Sequence, residues 1–158
     1  MVESLRSGWL THGPTCRRFE HEFATSVGAS RAVCVSSGTA AMHLALVALG
    51  VGVGDEVVTT PFTFCSTAHV IEHAGATPVF VDIEPEFLQI DPDGVREAVT
   101  SRTRAILPVH YGGHPCRVDE IVKLADDLSI AVVEDAAHAL GAFVGERPIG
   151  SIGRATAL

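Results

Sequence analysis

Short apolar runs alternate along this chain with stretches patterned for helices, and that alternation constrains the fold more than any other feature of the sequence. The runs at residues 32–35, 56–59, 78–81, 105–109 and 130–134 are rich in Val, Ile and Ala, the composition of strands. Residues 17–27, 40–49, 66–74, 92–99 and 118–128 carry apolar side chains at three- and four-residue spacing, and Gly50 and Gly75 sit where a helix C-terminus favours a left-handed residue. Strands apolar at consecutive positions are buried on both faces, as in a parallel sheet covered by helices, and right-handed crossovers then set the local hand. The expected architecture is α/β, in three layers, doubly wound about a mainly parallel sheet.

A chain of 158 residues that is 47% hydrophobic is the size of one ordinary domain and can bury a real core. Its longest apolar runs, about ten residues, are broken by Gly, Ser or charge and are too short to span a bilayer. With no charged-then-apolar leader at the start, a soluble cytoplasmic protein that does not bind membranes is expected. The formal net charge is −8, and the basic residues form no stripe beyond Arg17-Arg18, so the electrostatic footprint of a nucleic-acid binder is missing. Cys16, Cys34, Cys65 and Cys116 form no C-x-x-C, which argues against a zinc knuckle or redox pair; Cys34 and Cys65, in apolar contexts, are expected to be buried thiols.

Three strand ends hold the chemistry. The first run leads into Ser36-Ser37-Gly38-Thr39 at the start of a helix, where free N–H groups and the helix dipole favour an anion. A plain Ser or Thr helix cap accounts for this turn equally well at this stage. The spacings of the triphosphate and dinucleotide loops, G-x-x-x-x-G-K-[ST] and G-x-G-x-x-G, are absent here. The second run leads into Thr60-Pro61-Phe62-Thr63-Phe64-Cys65-Ser66-Thr67, and the last into Glu134-Asp135-Ala136-Ala137-His138. In open parallel sheets the ligand crevice lies beyond the carboxyl ends of the strands, so all three are expected to face one crevice. A phosphate cup, an aromatic platform and a carboxylate together suit a flat, phosphorylated, cationic heteroaromatic ring, and pyridoxal phosphate (PLP) fits that description.

The motifs Gly13-Pro14, Ser36-Ser37-Gly38-Thr39-Ala40-Ala41-Met42, Gly54-Asp55-Glu56-Val57, Gly75-Ala76-Thr77-Pro78-Val79-Phe80-Val81-Asp82, Pro108-Val109-His110 and Glu134-Asp135-Ala136-Ala137-His138 occur in this order. Together they closely resemble the sugar aminotransferases of the DegT/DnrJ/EryC1/StrS family, from about Gly8 to Leu158. The resemblance implies a PLP-dependent enzyme of the aspartate aminotransferase fold type, usually a homodimer. Such an enzyme moves an amino group from glutamate or glutamine to a keto sugar nucleotide, in polysaccharide or antibiotic-sugar biosynthesis.

Carried over by motif, Gly38, Thr39 and Ala40 correspond to the phosphate-binding turn, and Phe64 to the aromatic residue that stacks on the pyridine ring. Asp135 corresponds to the carboxylate that keeps the pyridine nitrogen protonated, and His138 to the residue that hydrogen-bonds the phenolic oxygen. Plainer roles stand beside each: a core Phe next to Phe62, an Asp135 helix cap, a structural histidine.

Transamination needs a lysine, and the only one here, Lys123, lies in an amphipathic segment that reads as the outer face of a helix. By the resemblance, the Schiff-base lysine lies beyond Leu158, as do the last strands of the large domain and the small C-terminal domain. Residues 1–158 are therefore expected to be the N-terminal part of the PLP-binding large domain, without a catalytic residue and inactive on their own. The alternatives are a fragment that at most holds PLP noncovalently or pairs with another chain, and a PLP-dependent sugar dehydratase with histidine at the lysine position. His69 and His73, four apart, could share a helix face toward a metal, but the sequence offers no third ligand and no metal is assigned. Residues 8–14, with Trp9, are the front segment expected to reach the substrate.

Overall fold

The computed structural model describes all 158 residues. Helices α1 (Val2–Arg6), α2 (Pro14–Ser26) and α3 (Gly38–Ala48) open the chain. The alternation follows: β1 (Glu56–Thr59), α4 (Ser66–His73), β2 (Thr77–Phe80), α5 (Pro92–Ala98), β3 (Thr103–Ile106), a 3-10 turn at Tyr111–Gly113, α6 (Val118–Leu128) and β4 (Ala131–Asp135). A small antiparallel hairpin, β5 (Phe143–Val144) and β6 (Arg147–Pro148), precedes β7 (Ala155–Ala157).

Five of these strands form one parallel sheet in the order β2-β1-β3-β4-β7. From β1 the chain crosses outward to β2 and then returns to the other side of β1 for β3. That reversal opens a crevice at the carboxyl ends of β1 and β3, the place where open α/β sheets bind ligands.

Side-chain alternation divides the core between the two faces. Val57, Ala105 and Val133 pack with Met42 and Leu46 of α3 and Val70 and Ile71 of α4. Their neighbours Val58, Ile106 and Val132 pack with Val95 of α5 and Val118 and Ile121 of α6. Each Val, Leu, Ile or Met among them, once fully buried, contributes roughly 1.5–3 kcal/mol, which is why consecutive apolar positions on a strand predict helices on both sides. The expected three-layer α/β fold is thus observed. Helix ends follow the residues expected of them: Gly50 (φ 75°) and Gly75 (φ 87°) take the left-handed conformation just past α3 and α4. β2 is less buried than its sequence suggests because it is an edge strand, where Pro78 also costs no ladder hydrogen bond on the open side.

Two expectations fail. Residues 32–35 do not form a strand. A strand needs a neighbour, and a cleft of about 960 Å3 lies between this segment and Arg154, Ala155 and Thr156 of the β7 region. Its one tie on this stretch is the Cys34 N–H, which donates to Glu20 Oε1 at 2.8 Å and helps hold the Glu20 carboxyl below its ordinary range. The second failure concerns the thiols: Cys65 is exposed and Cys34 only half-buried, whereas Cys116 is buried. Cys65 occupies the N-cap position of α4 in the exposed loop that leaves β1, where the adjacent Phe64 is open to solvent as well.

Candidate active site

The start of α3 combines both roles that the sequence left open. Ser37 is the N-cap: its Oγ accepts the Ala40 N–H at 3.1 Å, and its carbonyl accepts the Ala41 N–H at 3.0 Å. The Gly38 and Thr39 N–H groups, in the first turn, have no partner within the protein. Gly38 and Thr39 line a cleft of about 440 Å3, a volume within the usual range of small-molecule sites. Ala40 does not line it, and its N–H is committed to the cap.

The opposite wall comes from the ends of the strands. Asp135, the last residue of β4, is 6% exposed and lines the same cleft. Its Oδ2 accepts the Thr67 hydroxyl at 2.8 Å, and its Oδ1 accepts the Ala137 N–H at 3.3 Å. Phe64, in the loop after β1, is 72% exposed, so it is not the core phenylalanine of the plainer reading. Its ring borders the cleft as an open apolar surface. His138 also lines the cleft, with its ring edge-on to Tyr111 at 6.3 Å, and Tyr111 in turn packs on Phe62 at 4.3 Å.

Beneath this wall lies a fully buried polar pair. Glu134 Oε2 accepts from His110 Nε2 at 3.0 Å, while His110 Nδ1 accepts the Cys116 N–H at 3.2 Å, which assigns the ring proton to Nε2. Glu134 Oε1 takes the Gly153 N–H and the Thr156 hydroxyl, both at 2.8 Å. Burial pushes the Glu134 carboxyl upward, but hydrogen bonds from His110, Gly153 and Thr156 outweigh it and hold the group below its ordinary value. One ionised side chain thereby ties the end of β3 and the strand β7 to β4, next to Asp135. Burial, with the Glu134 charge adding to it, pushes the Cys116 thiol far up, so it is an inert core group.

Of the residues expected at the site, Gly38, Thr39, Phe64, Asp135 and His138 meet at one cleft; Ala40 stands behind it. Tyr111, Thr63 and Met42 join them without having been singled out. The signal for Tyr111 was its place just after the fourth apolar run, on the strand-end face; Met42 and Thr63 lie inside segments already marked, but nothing in their own side-chain chemistry assigned them to the cleft. Lys123 is exposed on α6 and is not part of the cleft. His69 and His73 gain a third histidine across the α3–α4 contact, with the His43 and His73 rings 6.4 Å apart, but no three His, Cys, Asp or Glu side chains are placed to hold a metal ion. No helix is long and apolar enough to cross a membrane.

A parallel α/β sheet with its crevice at the strand ends is the architecture this chain shares with solved aminotransferases. The sequence model of the DegT/DnrJ/EryC1/StrS aminotransferase family matches residues 1–158, and the chain belongs to that family. It is 54% identical over 157 residues to the spore coat polysaccharide biosynthesis protein SpsC of Bacillus subtilis, a match that covers 99% of this chain and 40% of SpsC. DesV of S. venezuelae, solved in complex with a ketimine intermediate, superposes with a TM-score of 0.94 at 42% identity, over 98% of this chain and 41% of DesV. The PLP-form of Spr1654 from Streptococcus pneumoniae gives a TM-score of 0.92 at 36% identity, over 96% of this chain and 43% of its own. The 158 residues thus span about 40% of the length of these relatives.

Proposed function

We propose that the protein carrying this chain is a PLP-dependent aminotransferase that moves an amino group from glutamate or glutamine to a keto sugar nucleotide. The observation that carries the proposal is the convergence on one cleft of the Asp135 carboxylate, the unpartnered N–H groups of Gly38 and Thr39, and the open face of Phe64. Their chemistry fits PLP: two N–H donors and a helix dipole for a phosphate, an aromatic face for a flat ring, and a buried acid for a protonated ring nitrogen. When bound, PLP supplies an electron sink at the carbon that loses its proton during amino transfer.

In this reading Gly38 and Thr39 anchor the phosphate, and Phe64 holds the ring flat. Asp135 holds a proton on the ring nitrogen, and His138 orients the ring through its phenolic oxygen. The sugar-nucleotide assignment draws on the relatives: SpsC is named for polysaccharide biosynthesis, and DesI was solved in the presence of its TDP-sugar product. A homodimer is part of the same proposal.

The test is amino transfer from glutamate or glutamine to a keto sugar nucleotide, measured with added PLP on the protein at the length of its relatives. Formation of the amino sugar nucleotide is expected. Transfer to simple keto acids but to no keto sugar nucleotide would contradict the assignment. The 158 residues alone place no lysine in the cleft, so borohydride treatment of this chain with PLP should leave no reduced adduct on a cleft residue.

A further inference from the structure

Thr67 and Thr63 have no part in the assignment above, yet Thr67 stands directly against Asp135, and Thr63, on the cleft wall, stands against Thr67. Thr67, in the first turn of α4, is fully buried, and its hydroxyl lies 2.8 Å from Asp135 Oδ2 and 2.7 Å from Thr63 Oγ1. The direction of these bonds follows from chemistry. An ionised carboxylate can only accept, so Thr67 spends its single proton on Asp135. The Thr67 oxygen then has only lone pairs left for Thr63, and the proton between the two threonines belongs to Thr63. Both carboxylate oxygens are thereby engaged, Oδ2 by the hydroxyl chain and Oδ1 by the Ala137 N–H.

We propose that Thr63 and Thr67 form a one-way hydroxyl chain that fixes the orientation of the Asp135 carboxylate toward the ring nitrogen of the bound cofactor, with Thr67 as a positioning residue. The proposal rests on the PLP reading of the cleft. A carboxylate held at both oxygens has one orientation of its remaining lone pairs; with the Thr67 donor removed, it can turn about its terminal torsion, where the energy is broad. A hydrogen bond to a charged group is worth roughly as much as a tenfold change in affinity, and the buried position of Thr67 leaves no water to replace it.

The experiment compares two ligands, PLP and its analogue with the ring nitrogen replaced by C–H, titrated against the wild-type protein, Thr67→Val, Thr67→Ser and Thr63→Val. The wild type should bind PLP more tightly than the analogue. Thr67→Val should weaken PLP binding by roughly tenfold while leaving the analogue unchanged, Thr67→Ser should restore the wild-type ratio, and Thr63→Val should give a smaller loss of about threefold, again for PLP alone. Equal weakening of both ligands, or no change for either, overturns the hydroxyl chain. If the wild type itself binds the two ligands equally, Asp135 does not read the ring nitrogen, and the PLP assignment of that residue fails together with this proposal. Should Thr67→Val not fold, as judged by circular dichroism, the half-buried Thr63→Val decides: no difference between the ligands there overturns the proposal.

Discussion

Replacing Glu134 by leucine should destabilise the protein by about 3–5 kcal/mol, because it leaves His110 Nε2–H, the Gly153 N–H and the Thr156 hydroxyl without their acceptor. A buried donor left unsatisfied costs roughly 1–3 kcal/mol; His110 is 1% exposed and bears that in full, while the half-buried Gly153 and Thr156 retain some access to water. Glu134→Gln is the milder change. Its carbonyl can still serve Gly153 and Thr156, but its amide faces the His110 N–H donor to donor, for a loss of about 1–3 kcal/mol. Urea unfolding followed by far-UV circular dichroism measures both. With an unfolding slope of roughly 1–3 kcal/mol/M, the leucine variant should lose about 2 M in midpoint.

Acid supplies a second readout of the same group. The folded-state carboxyl lies below its ordinary value of 4.5, so its stabilising effect is complete above that pH and is lost as the pH falls through the lower folded-state value. Glu134→Gln should therefore show a flatter acid limb than wild type below pH 4.5. Unfolding free energies within about 0.5 kcal/mol of wild type for both variants, or a glutamine variant less stable than the leucine one, would refute the account of this network.

Two further substitutions separate the site from the scaffold. Phe64→Ala should leave the unfolding midpoint near wild type, since the ring is 72% exposed, yet weaken PLP binding by about 0.5–1.5 kcal/mol; fluorescence titration of PLP measures the second. Ser37→Ala removes the α3 cap and should cost about 0.5–2 kcal/mol in urea unfolding, with PLP affinity falling as the first turn of α3 frays.

The sequence made the layers legible because burial on both faces leaves a mark that survives any detail of packing: Val57 and Val58 must be covered from opposite sides, and they are. Residues 32–35 carry the same mark but are not a strand, since strand formation depends on a partner that local composition does not encode. The site was legible where chemistry needs rare arrangements, as in Gly38-Thr39 before a helix or Asp135 at a strand end. It was hidden where ordinary residues are recruited by topology. Thr67 is a common side chain whose place beside Asp135 comes from the order of β1, β3 and β4, and no local pattern announces it. Ala40 shows the reverse: it sits inside the phosphate-turn motif, but its N–H had already been taken by Ser37.

The central claim is that the crevice at the ends of β1, β3 and β4 holds PLP in one orientation, and a crystal structure of the protein with PLP bound tests it most directly. The account predicts the phosphate on the Gly38 and Thr39 N–H groups, the ring against Phe64 and the ring nitrogen within hydrogen-bond distance of Asp135. A phosphate bound elsewhere, or a ring nitrogen turned away from Asp135, would contradict it.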